Sequence, residues 1–519
     1  MESHKELTIF DELIAEPLNK NSSRIYGETK SYDSSSVIEH YTPGVDERML
    51  EVFCKAENPE DPIEILNLFL GRIESELGEK QMRPELAALW QKAKYRRNVT
   101  AKELLSSNVT IGFVKELFNF YFRDDLYGRL ESDQNIILSS GAVFEDLWGL
   151  PEIMKDCLRF ALNKNWYGYS DSRGRESSRI AIADYENIRM GEEVYDVNNV
   201  VITMGATFAI NSLADFVLTN SQGSEVLCGI PNYPPLVKAI ALRHEVKLVP
   251  IQTTGVVSSI RQIIDTLKPD TPMVMIQTVL NPNGTLVDEN EIKELITKAS
   301  PNTIIILDEC HELLGPKISF CKERAAENVI RISSLSKKWA VPGLKIGWFI
   351  ANKNFIKKFY EFASTTYGGP PSFYFTLLEF LARMESWLLQ GVDELVPKDA
   401  ELFNEDYNIK LDKLQKAYTN YKDHRIARQH ELYNLKGISL NNLANSNAKF
   451  IMPNYSINIG LEYSGYKDSY SCFREILHEK SVSFYPGILN FCMSGSLLRM
   501  TFTRPVEEIK ESLQRISNI

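Results

Sequence analysis

Through the middle of the chain, apolar residues gather into short, near-continuous runs separated by stretches with helical spacing. VNNVVITMG, SEVLCGIPNY, VKLVPIQT, MVMIQTVLNP, NTIIILDECHE and ENVIRISSLSKKW are such runs, each closed by turn residues. Runs of this kind between helices predict a mainly parallel sheet buried on both faces. IGWFIANK adds one more short strand. The first 130 residues have a different texture. Residues 1–45 are polar and Ser/Asn-rich, which predicts loop. From 61 to 125 the period turns helical. PIEILNLFLGRIESEL opens at Pro62, puts Ile63, Leu66, Phe69 and Leu70 on one face, and stops near Gly78. PELAALWQKAKYRR, VTAKELLSSN and IGFVKELFNFYFRDDLYGRL predict further helices, the first opening on a proline suited to a first turn. After residue 385 comes a long polar helical stretch. NAKFIMPNYSI, SVSFYPG and LLRMTFTRP then return to strand, and VEEIKESLQRI is a last helix.

Composition narrows the class. The 519 residues allow about three domains. Hydrophobic residues at 44% and charged residues at 24% are ordinary globular usage. The net charge of -11 argues against a general binder of nucleic acid or of anionic membrane, both of which need a basic surface. Residues 1–130 hold roughly 23 acidic and 17 basic side chains, so they are no basic DNA-binding module. No apolar run approaches the ~18–20 residues that cross a bilayer, and the first twenty residues lack the apolar core of a signal peptide. The seven cysteines form no CxxC pair, which suits reduced thiols and no structural metal. A cytoplasmic enzyme of more than one domain is the expectation.

Six short motifs carry chemistry. Ser334-Leu335-Ser336-Lys337-Lys338-Trp339-Ala340-Val341-Pro342-Gly343-Leu344-Lys345 follows a predicted strand. A lysine there can form a Schiff base with a carbonyl cofactor, while the hydroxyls and the second cation, Lys345, can hold a phosphate. A surface Lys-Lys pair before a turn has the same sequence. Asp308 ends a very apolar strand, where it can face a protonated pyridine nitrogen or simply cap a loop. Asn281-Pro282-Asn283-Gly284 is either a plain turn or the donor of an amide to a ring oxygen. Gly205-Ala206-Thr207 opens a helix after a strand, so its backbone N–H groups can approach a phosphate. Tyr233 in Pro231-Asn232-Tyr233-Pro234 offers an aromatic face, and Arg499 in Leu498-Arg499-Met500 a bidentate grip on a carboxylate. Packing and surface roles stay open for both.

In this order the motifs resemble the class I/II aminotransferases, the fold-type I enzymes dependent on pyridoxal 5'-phosphate (PLP). The lysine motif SxSKxxxxPGxxxG is specific, and Tyr167-Gly168-Tyr169-Ser170-Asp171-Ser172-Arg173-Gly174 and Ile137-Leu138-Ser139-Ser140-Gly141 also look like family segments. The resemblance covers about residues 130–519. It implies an α/β fold: a large PLP-binding domain with a mainly parallel seven-stranded sheet, here 165–384, and a smaller α+β domain, here 131–164 and 385–519. Residues 1–130 are then a helix-rich extension outside the family pattern.

The resemblance also implies roles. Lys337 would carry PLP as a Schiff base and move the Cα proton through a carbanion. Asp308 would pair with the pyridine nitrogen, Asn281 would bond the ring oxygen, and Tyr233 would stack on the ring. Ala206, Thr207, Ser334, Ser336 and Lys345 would hold the phosphate. Tyr169 would reach the phosphate of a neighbouring subunit in a homodimer or larger homo-oligomer. Arg499, helped by the backbone of Gly141, would bind the amino acid's α-carboxylate. Three residues depart from the pattern. His311 stands where the family has a tyrosine that also bonds the ring oxygen; it either donates there or merely fills the slot. Lys345 replaces an arginine, and Asn283 a threonine. Transamination between an amino acid and a keto acid is the leading activity. The alternative is β/γ-elimination, replacement or cyclisation of the kind catalysed by aminocyclopropane-carboxylate synthases, with S-adenosylmethionine as a substrate. A non-catalytic PLP-binding regulator ranks last, because such proteins carry a basic DNA-binding domain.

Overall fold

The apolar runs form strands with almost every side chain buried. The computed structural model describes residues 8–11, 32–78, 83–94, 97–126, 135–144 and 150–517. Of the stretch expected as loop, 1–7 and 12–31 lie outside the described residues, as do 95–96 and 127–130 of the predicted helices. Two units are described in turn.

The first unit takes the described residues of Met1–Gly27, Phe144–Ala209 and Lys317–Tyr433. Gly347–Ile350 pairs antiparallel with both Val200–Thr203 and Val329–Ser334, with Gly347 opposite Thr203 on one side and Ser334 on the other. All three strands are buried throughout, which explains sequences that do not alternate. Helices Glu176–Met190 and Phe375–Gln390 end at Gly191 and Gly391, both left-handed (φ 75° and 71°), where a side chain is strained. Phe10, near the chain's start, is buried in this unit with its ring edge-on to Phe380 at 4.9 Å. A buried ion cluster fixes the residue after Lys337. Lys338 Nζ meets Glu385 at 2.7 Å, Arg425 Nε meets the same carboxylate at 2.9 Å, and Tyr421 donates its hydroxyl to it at 2.6 Å. Trp339 Nε1 donates to Tyr421 at 2.9 Å.

The second unit takes the described residues of Glu28–Val143, Ile210–Pro316 and Asn434–Ile519. Its ladder is parallel, with Met273–Gln277 between Ile304–Asp308 and Val226–Ile230, and Val246–Pro250 beyond. Parallel strands end on the same edge, so Asp308, Gln277 and the turn after Ile230 come out together, the usual ligand side of such a sheet. The tail forms an antiparallel sheet in the order Ala448–Phe450, Asn458–Tyr463, Leu498–Thr501, Tyr485–Pro486. Asn458–Tyr463 was not expected. It is a central strand buried at all but one position, with Gly460 interrupting the apolar pattern, so it shows no alternation.

The described residues of the extension from 32 onward are built into this unit. Pro62–Leu77 is the predicted helix, capped by Asp61, whose carboxylate accepts from the Ile63 N–H at 2.9 Å. Of the expected stripe, Leu66, Phe69 and Leu70 are buried and Ile63 is 46% exposed; Ile65 and Leu68 are buried as well, so the covered face is wider than expected. Two charged residues on this helix are also buried. Arg72 donates to Asp468 at 2.5 Å, and Glu74 accepts from Arg474 at 3.2 Å. Arg474 also meets Asp125 at 3.1 Å, and Tyr470 donates its hydroxyl to Asp125 at 2.8 Å. Removing one member of a buried pair costs about 3–5 kcal/mol, so these contacts hold the extension in place.

Candidate active site

In the second unit, Asp308 stands at the end of its strand, buried, with neutral donors from two residues. The Cys310 N–H bonds Oδ1 at 3.1 Å, and the Gln277 amide bonds Oδ2 at 3.4 Å. Burial pushes this carboxyl above the usual carboxylate range, and hydrogen bonds from the Cys310 side chain, the Cys310 N–H and Gln277 pull the other way. Next to this turn, Ser456 approaches His311, its Oγ 2.8 Å from Nδ1. Ser456 is itself buried and left-handed (φ 68°), and its N–H donates to the Leu313 carbonyl at 2.8 Å. The neighbouring Tyr455 donates its N–H to Gly284, tying the Asn281–Gly284 turn to the same loop.

Arg499 is the centre of a second cluster. Its Nη2 donates to the Ser139 carbonyl at 2.8 Å and its Nη1 to Asn281 Oδ1 at 3.2 Å. The guanidinium lies over the Tyr485 ring, 4.0 Å from its centroid. Asn281 also accepts from Asn458 Nδ2 at 3.3 Å. Burial lowers the Arg499 pKa from its ordinary value, opposed by Tyr485, Tyr121 and Tyr233. Gly141 is left-handed (φ 62°), and a Cβ there would lie 2.7 Å from Arg499 Nη2. The glycine is what lets the backbone come this close. Tyr233 follows the strand Val226–Ile230; its N–H donates to Asn232 Oδ1 at 2.8 Å, and Asn232 in turn bonds Gly229. Burial raises the Tyr233 pKa, and Arg499 opposes this.

In the first unit, Val329–Ser334 runs into the one-turn helix Leu335–Lys338, which carries Lys337. Ser334 caps that turn, its Oγ accepting from the Ser336 N–H at 3.1 Å. The two hydroxyls are 2.8 Å apart, and Ser334 donates to the Ile346 carbonyl at 3.2 Å, leaving Ser336 as donor between them. Lys345 is exposed and left-handed (φ 52°). Gly205 (φ 82°) closes the strand before Ala206 and Thr207, and a Cβ on Gly347 would meet it at 3.0 Å. Small residues therefore bring the Ala206 helix start against the strand after Lys345. Tyr169 is fully exposed.

Sequence reasoning missed Gln277, Ser456, Asn458 and Tyr485. Each touches a predicted site residue from another segment, and none carries a local motif.

The side chains fit PLP. A buried carboxylate whose partners are all neutral suits a cationic ring nitrogen. A buried guanidinium whose Nε–H has no hydrogen-bond partner among the described residues suits a carboxylate. The lysine turn and the hydroxyl pair suit a carbonyl and a phosphate. A parallel ladder ending in such a carboxylate belongs to an α/β enzyme of PLP fold-type I. The family model described as aminotransferase class I and II matches residues 133–516, and the chain belongs to that family. It is an enzyme of the PLP-dependent aminotransferase class. It is 25% identical over 374 residues to an aspartate aminotransferase of Sulfolobus acidocaldarius, covering 70% of this chain and 85% of that protein. A shorter match, 28% over 213 residues, is to 1-aminocyclopropane-1-carboxylate synthase 3 of Solanum lycopersicum, covering 36% of this chain and 45% of that protein. The solved structure of a double mutant of Thermus thermophilus aspartate aminotransferase shares the fold, with a TM-score of 0.60 at 17% identity, covering 81% of this chain and 99% of that one. No described helix is long and apolar enough to cross a membrane.

Proposed function

We propose that this enzyme moves the α-amino group of an amino acid to a keto acid. The observation that carries the reading is the Arg499 cluster: a buried guanidinium whose Nε–H is unpaired among the described residues, opened to a ligand by the side-chain-free Gly141. When bound, PLP supplies an electron sink for the bond broken at Cα. Lys337 would hold the cofactor and would carry the proton from Cα on its amine. Asp308 stays ionised opposite the ring nitrogen, because that cation replaces the solvation that burial removed. Asn281 and His311 donate to the ring oxygen, and Ser456 fixes the His311 ring. Ala206, Thr207, Ser334, Ser336 and Lys345 hold the phosphate. Tyr233 covers the ring face, and Arg499 with Gly141 orients the α-carboxylate.

The family match beginning at residue 133 supports the assignment of 1–130 as an extension. Within the match, we propose 165–384 as the PLP-binding domain and 131–164 with 385–519 as the small domain. The exposure of Tyr169 supports a homodimer in which it serves the neighbouring phosphate. The scattered cysteines, none of them in a disulfide, support a cytoplasmic enzyme.

The test is spectral. The PLP form is mixed with single amino acids, S-adenosylmethionine included, and no keto acid. Stoichiometric conversion of the bound cofactor to its amino form is the expected result. Repeated turnover without a keto acid refutes transamination in favour of elimination or cyclisation, the reading that the shorter synthase match favours. If Lys337→Ala kept full activity and the bound-cofactor absorbance, the site assignment would fall.

A further inference from the structure

The extension lies outside the family match, yet one of its helices runs along the elements that carry Tyr233. Helix Asn108–Phe120 begins with a side chain docked at the far end of helix Pro234–Ala241. The Asn108 amide donates to the Ala241 and His244 carbonyls, each at 3.2 Å, and its oxygen accepts from the Val246 N–H at 3.1 Å. Ten residues on, Phe118 meets Tyr233 at the near end of the same helix, edge to face, with centroids 5.6 Å apart and planes at 79°. Phe122 packs edge-on against Phe118 at 4.9 Å and holds it there. The Tyr233 backbone is fixed separately, through Asn232. Only its ring depends on a lateral neighbour. Phe118 is half-buried, so it is no pillar of the core.

We propose that Phe118 is a positioning residue of the cofactor site, setting the ring plane of Tyr233 from the extension. The inference rests on the reading of Tyr233 as the residue that covers the PLP ring. An edge-to-face aromatic pair is worth about 0.5–1.5 kcal/mol beyond its area, which is about two- to tenfold in an equilibrium constant. A rotating Tyr233 ring gives up that much of its stacking on the cofactor.

The experiment uses the full-length chain, with PLP as the probe. Apo protein is titrated with PLP, and the visible circular dichroism of the bound cofactor is recorded together with the apo melting temperature. Phe118→Ala is expected to weaken PLP about two- to tenfold and to diminish the dichroic band, with the apo melting temperature unchanged within about 2 °C. Phe118→Tyr restores both cofactor signals, since it keeps the ring edge. Unchanged PLP affinity and dichroism in Phe118→Ala would overturn the inference. So would a parallel fall in apo melting temperature that accounts for the lost affinity, because that marks a merely structural role. Wild-type protein that takes up no PLP would sink the reading of the site itself, and this inference with it. Where the wild type binds PLP on Lys337, the behaviour of Phe118→Ala alone decides the inference.

Discussion

Asp308→Asn should stabilise the cofactor-free protein while weakening its hold on PLP. The carboxylate is buried and receives one fair hydrogen bond, from the Cys310 N–H at 3.1 Å, one long one, from Gln277 at 3.4 Å, and a weak one from the Cys310 thiol. Desolvating an ionised carboxylate costs several kcal/mol, and hydrogen bonds to a charged group return about 1.5–3 kcal/mol. A deficit of about 1–3 kcal/mol is left. Asparagine removes the charge and keeps the acceptor for Cys310. Its new N–H group has a partner as well: the buried Gln277 Oε1 is unpaired among the described residues, and turning that amide presents it to residue 308. The variant therefore loses the penalty and strands no more polar atoms than the wild type, Gln277 Nε2 taking the unpaired place that Oε1 held.

The pH dependence gives the sign. Burial raises the folded pKa of Asp308 above its unfolded value, which is about 3.9. The stability this group contributes is therefore present below the unfolded pKa and lost as pH rises through the folded one. Asparagine does not titrate. The advantage of Asp308→Asn should be near zero at about pH 4, grow upward, and level off at about 1–3 kcal/mol once the folded carboxyl is ionised. Urea unfolding of both apo proteins at several pH values measures it. PLP titration of the same samples should show the opposite sign, at least about tenfold weaker, because the ring-nitrogen cation loses its counter-charge. An apo variant less stable than wild type at about pH 8, or an advantage independent of pH, would refute the reasoning.

Gly141→Ala should raise KM for the amino acid by about 10–100-fold with a smaller effect on kcat, since the new methyl would lie 2.7 Å from Arg499 Nη2 and displace it from a carboxylate worth about 1.5–3 kcal/mol. Steady-state kinetics with the amino acid found in the spectral screen decides it, and an unchanged KM counts against the placement of Arg499. Glu385→Gln should cost about 3–5 kcal/mol at about pH 7 by leaving Lys338 and Arg425, both largely shielded from solvent, without their shared buried carboxylate. Burial alone would raise the Glu385 carboxyl, but Lys338 and Arg425 draw it down to about 2, so its stabilisation is present above the unfolded value and lost as pH falls toward 2. Urea midpoints of the wild type and this variant should converge on acidification; a constant gap speaks against the ion cluster.

The lysine turn was legible because its signal is local. Ser334, Ser336 and Lys337 fall within one turn of chain, and the hydroxyl that caps it is read directly from that spacing. Asp308 was legible as the last residue of an apolar strand. The surroundings of Arg499 were not. Its partners Ser139, Asn281 and Tyr485 come from three separate segments, and the strand Asn458–Tyr463 that supports them had no alternation to betray it. As a lone arginine on a short strand it has the sequence of a surface residue; only the fold buries it. The same limit applies to Ser456, which has no motif, yet contacts the one residue that departs most from the family pattern.

The extension carries this furthest. Its acidic excess excludes a basic DNA-binding module but does not place the charges, since charge counts contain no pairing. Two of those acids are interior groups: Glu74 and Asp125 meet Arg474, while the extension's own Arg72 meets Asp468. The ion pairs run in both directions between residues outside the family match and residues inside it. Neither part holds a satisfied set of charges alone, because Arg474 without the extension would be a buried cation stripped of both carboxylates. The matched part of this chain therefore relies on the extension to pair Arg474 and Asp468, and the extension is a structural part of the unit that carries Tyr233 and Arg499. That dependence is what allows a helix at residues 108–120, outside every family motif, to press an aromatic edge against Tyr233.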